Sequence, residues 1–122
     1  MKRVIIGLER LAVEKPGRLA QANLGLLANQ ASVGPDYEHA LNIIGRSYPG
    51  RLKKLFGPQH GFAGEKQDNM VESDHGREPE SGLPVFSLYG KVRKPDEEMF
   101  SGLDVLLVDL VDVGTRVYTF AQ

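Results

Sequence analysis

Four stretches of the chain are apolar without a helical period: Leu24–Asn29, Leu52–Phe56, Val85–Tyr89 and Asp104–Leu110. Each is short and ends at glycine, proline or polar residues, which predicts four strands. The run Val105–Val108 is apolar at every position and reads as a strand buried on both faces, as in a parallel sheet covered by helices. Leu8, Leu11 and Ala12 predict a short helix up to about Glu14, with Lys15-Pro16-Gly17 turning the chain after it. Asp36 is placed to cap a second helix from about Tyr37, whose apolar face is Ala40, Leu41, Ile43 and Ile44; Pro49-Gly50 ends it. A third short helix is expected with Pro95 at its first position and Asp96, Glu97 and Glu98 in its first turn, stopped by Gly102. A loop rich in Gly, Glu, Asp and Asn fills Gly57 to Gly82.

The order β-α-β-loop-β-α-β predicts an α/β fold: a mainly parallel sheet of about four strands flanked by helices. Right-handed crossovers bring every strand's C-terminal end to one edge. Asn29-Gln30, Gln59-His60, Tyr89 and Asp109 to Asp112 all fall at or just after those ends. Open α/β sheets bind ligands there, so the pattern alone predicts a cleft.

Composition narrows what the cleft holds. The 122 residues suffice for one core. Fifteen basic against sixteen acidic residues leave a net charge of −1, which argues against nucleic acid as partner. There is no Cys, hence no disulfide, thiolate metal site or Cys nucleophile. No apolar run is long enough to insert in a membrane. Glu9 and Arg10 interrupt the apolar start, so no signal peptide is visible and the compartment stays unassigned.

The segment Gly57-Pro58-Gln59-His60-Gly61-Phe62-Ala63-Gly64-Glu65 lets backbone approach a ligand and offers His60 as a proton shuttle or ligand-binding group. It is neither a P-loop nor a dinucleotide fingerprint. Glu65 opens an acidic run with Asp68, Glu72 and Asp74, and two carboxylates across a sugar are the acid and base, or acid and nucleophile, of glycoside hydrolysis. Asp109 ends a buried strand, where an ionised carboxylate is costly unless paired or in use, and Arg116 is its natural partner. Tyr89 and Tyr118 are candidate aromatic walls. No zinc-ligand spacing occurs, so no metal and no cofactor is expected.

The blocks Leu55-Phe56-Gly57-Pro58-Gln59-His60-Gly61, Gly82 to Gly90, Arg93-Lys94-Pro95 and Asp109 to Arg116 followed by Tyr118-Thr119-Phe120 resemble, in order and spacing, the N-terminal part of the exo-β-N-acetylmuramidase family, long catalogued as a domain of unknown function. Gly7-Leu8-Glu9 and Leu27-Ala28-Asn29-Gln30 are similar to its opening blocks. The resemblance implies a Rossmann-like domain, a cleft shared with a smaller C-terminal domain absent from residues 1–122, and release of terminal N-acetylmuramic acid from peptidoglycan fragments. The implied ligand is a muropeptide or amino sugar; many relatives are exported. A half-cleft exposing apolar surface would also favour a homodimer.

Two positions depart from the family pattern. Gln59 stands where the family usually has Glu, and Val111 where it usually has Gln. An amide cycles no proton near neutral pH, though it still binds a sugar hydroxyl or acetamido group. The catalytic set expected here is therefore Glu65, Asp109 and Asp112 with His60 as helper. Asn29, Gln59, Tyr89 and Arg116 are expected to bind substrate, Arg116 holding Asp112 or the lactyl carboxylate. The alternative is a non-catalytic carbohydrate-binding domain in which Gln59 marks lost chemistry.

Overall fold

The computed structural model describes residues 3–58, 76–88 and 96–111. Their elements in chain order are α1 (Gly7–Glu14), α2 (Gly17–Ala20), β1 (Leu24–Ala28), α3 (Ala40–Ser47), β2 (Leu52–Gly57), β3 (Gly76–Arg77), β4 (Pro84–Ser87), α4 (Glu97–Phe100) and β5 (Val105–Asp109). The sheet order is β3-β4-β2-β1-β5. Pairs β1–β2, β1–β5 and β2–β4 are parallel; only the two-residue β3 runs antiparallel, against β4. The four strands expected from the apolar runs are all present, and β3 is the fifth, within the stretch read as loop.

Strand alternation sorts the core into two layers. Leu24, Leu26 and Ala28 of β1 join Leu8, Leu19, Ala40, Ile44 and Tyr48 in one buried cluster. Gly25, between them, turns to the other face, against Leu103, Leu106 and Phe56. In β2 the register slips opposite Leu24/Gly25: Leu52 faces Leu24 and Lys54 faces Gly25. The extra residue, Lys53, is a bulge, which is why Leu52 and Leu55 share a face that strict alternation would deny them. Phe56 on the opposite face stacks on Phe86 and tilts against Phe100, with centroids 5.5 Å apart in both cases. Tyr48 donates its hydroxyl to the Leu11 carbonyl at 2.6 Å and ties α3 to α1.

Gly25 lies directly against Leu103, in the segment between α4 and β5. A Cβ there would stand 2.7 Å from Leu103 Cδ1, 3.2 Å from Leu106 Cδ1 and 3.3 Å from Phe56 Cε2. Leu103 can rotate, but the other two close the gap behind it. Gly25→Ala is expected to destabilise the fold by about 1–3 kcal/mol, read as a lower urea midpoint at unchanged slope.

Three local expectations need correction. The second helix starts at Ala40, not near Tyr37, and its cap is His39, whose Nδ1 accepts from Leu41 N–H at 3.1 Å. Tyr37 has φ +61, a left-handed conformation that no helix interior admits, so Asp36 sits in a turn and caps nothing. In the third helix Asp96 lies outside the first turn as the cap, its Oδ1 accepting from Met99 N–H at 2.9 Å; Pro95 is outside the described residues. The all-apolar strand β5 is at the end of the sheet order, with Val108 60 % exposed. Its apolar run therefore does not mean burial on both faces in this chain.

Candidate functional site at the C-terminal edge of the sheet

The parallel pairing places the C-terminal ends of β4, β2, β1 and β5 side by side on one edge. Pro58 after β2 and Asn29 after β1 are fully buried, and Ser87 ends β4 in a buried position. Asp109 ends β5, paired in register with Ala28.

A polar knot joins the ends of β1 and β5 to the start of α3. Asn29 is 1 % exposed. Its Oδ1 accepts from Ala31 N–H at 3.1 Å, an Asx turn that starts the loop. Its Nδ2 donates to the Val111 carbonyl at 2.9 Å, across to the segment after β5. Ser32, also fully buried, accepts from Asn29 N–H at 3.0 Å. The single Ser32 hydroxyl proton is shared between Asn29 Oδ1 and the Asp109 carbonyl. His39 Nε2 lies 2.7 Å from the Asn29 carbonyl. Because Nδ1 accepts from Leu41, the proton is on Nε2, which donates to that carbonyl.

The knot leaves the Asp109 carboxyl half-buried at the strand end. Burial pushes its pKa above the ordinary carboxylate value of 3.8. A carboxyl held protonated to higher pH is suited to donating a proton. Beside it lies a cavity of about 260 Å³ lined by Ile6, Leu8, Val33, Val108, Asp109 and others.

Of the residues expected from sequence to form the site, the described residues include Asn29 and Asp109, and the knot brings those two together. Asn29 lies beneath the edge with both ends of its amide engaged inside the protein, so it holds the strand ends in place. Gln59, His60, Glu65, Tyr89, Asp112 and Arg116 lie outside the described residues. Sequence reasoning missed Ser32 and His39. The Asn-x-x-Ser spacing from Asn29 to Ser32 is a usable turn signal, whereas a histidine cap has none. Among the described residues no cluster of three or more His, Asp or Glu is arranged to hold a metal, and no helix is long and apolar enough to cross a membrane.

Comparison with known proteins gives this edge a context. The chain is 36 % identical over 118 residues to the peptidoglycan β-N-acetylmuramidase NamZ of Bacillus subtilis (strain 168), covering 97 % of this chain and 28 % of that protein. Two crystal structures of DUF1343 family proteins from Bacteroides fragilis NCTC 9343 share the fold. One has a TM-score of 0.76 at 33 % identity, over 93 % of this chain and 28 % of its own. The other has a TM-score of 0.68 at 28 % identity, over 98 % of this chain and 29 % of its own. The chain thus spans less than a third of the length of these relatives. The model of the N-terminal domain of the exo-β-N-acetylmuramidase NamZ matches residues 24–122, from β1 onward, and the chain belongs to that family.

Proposed function

We propose that residues 1–122 are the N-terminal part of the Rossmann-like catalytic domain of an exo-acting glycoside hydrolase, which removes terminal N-acetylmuramic acid from peptidoglycan fragments. The observation that supports the reading is the half-buried Asp109 carboxyl at the C-terminal edge of the sheet, fixed through its own backbone by Ser32 and raised in pKa by burial. In this reading Asp109 gives its proton to the glycosidic oxygen as the C1–O bond breaks. A second carboxylate, Glu65 or Asp112, stabilises the oxocarbenium-like centre or takes a proton from the water that attacks C1. His60 assists proton movement. Gln59, Tyr89 and Arg116 bind the sugar, with Arg116 on Asp112 or on the lactyl carboxylate.

Gln59 favours one rival, a domain that binds the sugar without cleaving it. Incubating the full-length natural protein with muropeptide disaccharides and analysing products by mass spectrometry separates the two. Free N-acetylmuramic acid is the expected product. Intact disaccharides, together with a binding isotherm for the same ligands, would establish the binding domain instead.

A further inference from the structure

Leu41 N–H and the Asn29 carbonyl together admit one state of the His39 ring. A backbone N–H only donates, so Nδ1, 3.1 Å from it, carries no proton. A carbonyl only accepts, so Nε2, 2.7 Å from the Asn29 oxygen, carries the ring's proton. The ring thereby clips together the beginning and the end of the segment between β1 and α3. Ala40 N–H, donating to the Ser32 carbonyl at 2.7 Å, and the bridge between Val33 and His39 close the same segment.

A second proton on the ring changes one of these bonds and spares the other. It goes to Nδ1, which then points a donor at the Leu41 donor, while Nε2 keeps its bond to Asn29. The new charge also stands at the N-terminus of α3, where the helix dipole is already positive. Among the described residues, the carboxylates that interact electrostatically with His39 are Asp109, at the end of β5, and Glu78, in the turn between β3 and β4. Glu38, its chain neighbour, is paired at 2.6 Å with Arg46 in the last turn of α3. Asn29 and Ser32, on the side of β1, carry no charge. Carboxylates favour a charged ring and the cap a neutral one, so the two demands oppose each other across a single proton.

We propose that His39 is a proton-operated latch on α3. Neutral, it caps the helix and clips it to the end of β1. Charged, it uncaps the first turn of α3 while keeping hold of Asn29. The latch operates whatever the strand-end edge binds or cleaves.

Hydrogen exchange of the full-length natural protein, read by mass spectrometry and corrected for the intrinsic pH dependence of exchange, tests the latch. From about pH 7.5 to about pH 5.5, the span in which imidazoles charge, protection of the α3 peptide is expected to fall. The fall is expected to be about three- to thirtyfold, the range that loss of an N-cap implies, with protection of β1 unchanged. His39→Asn and His39→Ser supply caps that accept from Leu41 N–H without titrating, and in both the protection of α3 is expected to be the same at the two pH values. The pair keeps the test decisive where one of them fails to fold. Equal protection of α3 at both pH values in the unaltered protein would overturn the latch. So would an equal loss in β1, or the same pH-dependent loss in either folded variant.

Discussion

Asp109→Asn is expected to lower glycosidase turnover about 10²–10⁴-fold and, at the same time, to make the protein more stable at neutral pH. The two effects have one cause. Burial raises the folded-state pKa of this carboxyl above its ordinary value of 3.8, so between those two values the folded chain binds more protons than the unfolded one. Stability then falls as pH rises through that window, and above it the folded state carries the full cost of an ionised, half-buried carboxylate. Asparagine has no such cost. Urea midpoints of the two proteins are expected to be nearly equal at about pH 4 and to separate in favour of the variant by about pH 8. The activity of the unaltered protein is expected to decline on the alkaline side as Asp109 loses its proton. A variant that gains stability and retains full turnover would reduce Asp109 to a strained but idle group.

The second large effect is expected at Asn29. Asn29→Ala removes the acceptor for Ala31 N–H and Ser32 Oγ and the donor to the Val111 carbonyl; Ser32 is fully buried, Ala31 half-buried and Val111 partly exposed. Leaving such groups unpaired costs about 1–3 kcal/mol each where water cannot replace the partner. A loss of about 2–4 kcal/mol in unfolding free energy is therefore expected, a large part of the stability of a domain this size. Because the same amide holds the segment after β5, turnover should fall even where the variant is still folded. Ligand contact alone at Asn29 would give a different pattern, lower affinity with unchanged stability, and chemical denaturation distinguishes the two.

The parallel sheet was legible because apolar runs bounded by Gly57-Pro58, Tyr89-Gly90 and Leu110 have few alternative readings, and because crossovers leave the strand ends on one edge. What the sequence concealed were features set by tertiary contact. The β2 bulge at Lys53 exists to seat Leu52 and Leu55 on the same core, and nothing local announces it. The start of α3 is moved from Tyr37 to Ala40 by a turn in which Gly34 N–H donates to Glu38 O and Tyr37 goes left-handed, so a plausible cap at Asp36 loses to long-range fit. Pro95 suggested a helix start two residues early, since the helix begins at Glu97 and the Asp96 carboxylate caps Met99 N–H rather than lying in the first turn.

The site shows the same division. Asp109 stood out because a carboxylate ending an apolar strand needs a reason. Asn29 stood out for its place after β1, but its holding role depends on Val111, 82 residues away. His39 could not be seen at all, because its task is to present one ring nitrogen to Leu41 and the other to Asn29, a geometry that exists only once α3 lies across the end of β1.

The most direct test of the account is turnover of a chromogenic β-N-acetylmuramic acid glycoside by the full-length natural protein, with the β-N-acetylglucosamine analogue as control. Release of the chromophore from the muramic glycoside alone is the predicted result, despite Gln59, and assigns the acid role to a carboxylate elsewhere on the edge. Release from neither glycoside would contradict the account and leave the fold with a binding role or another substrate.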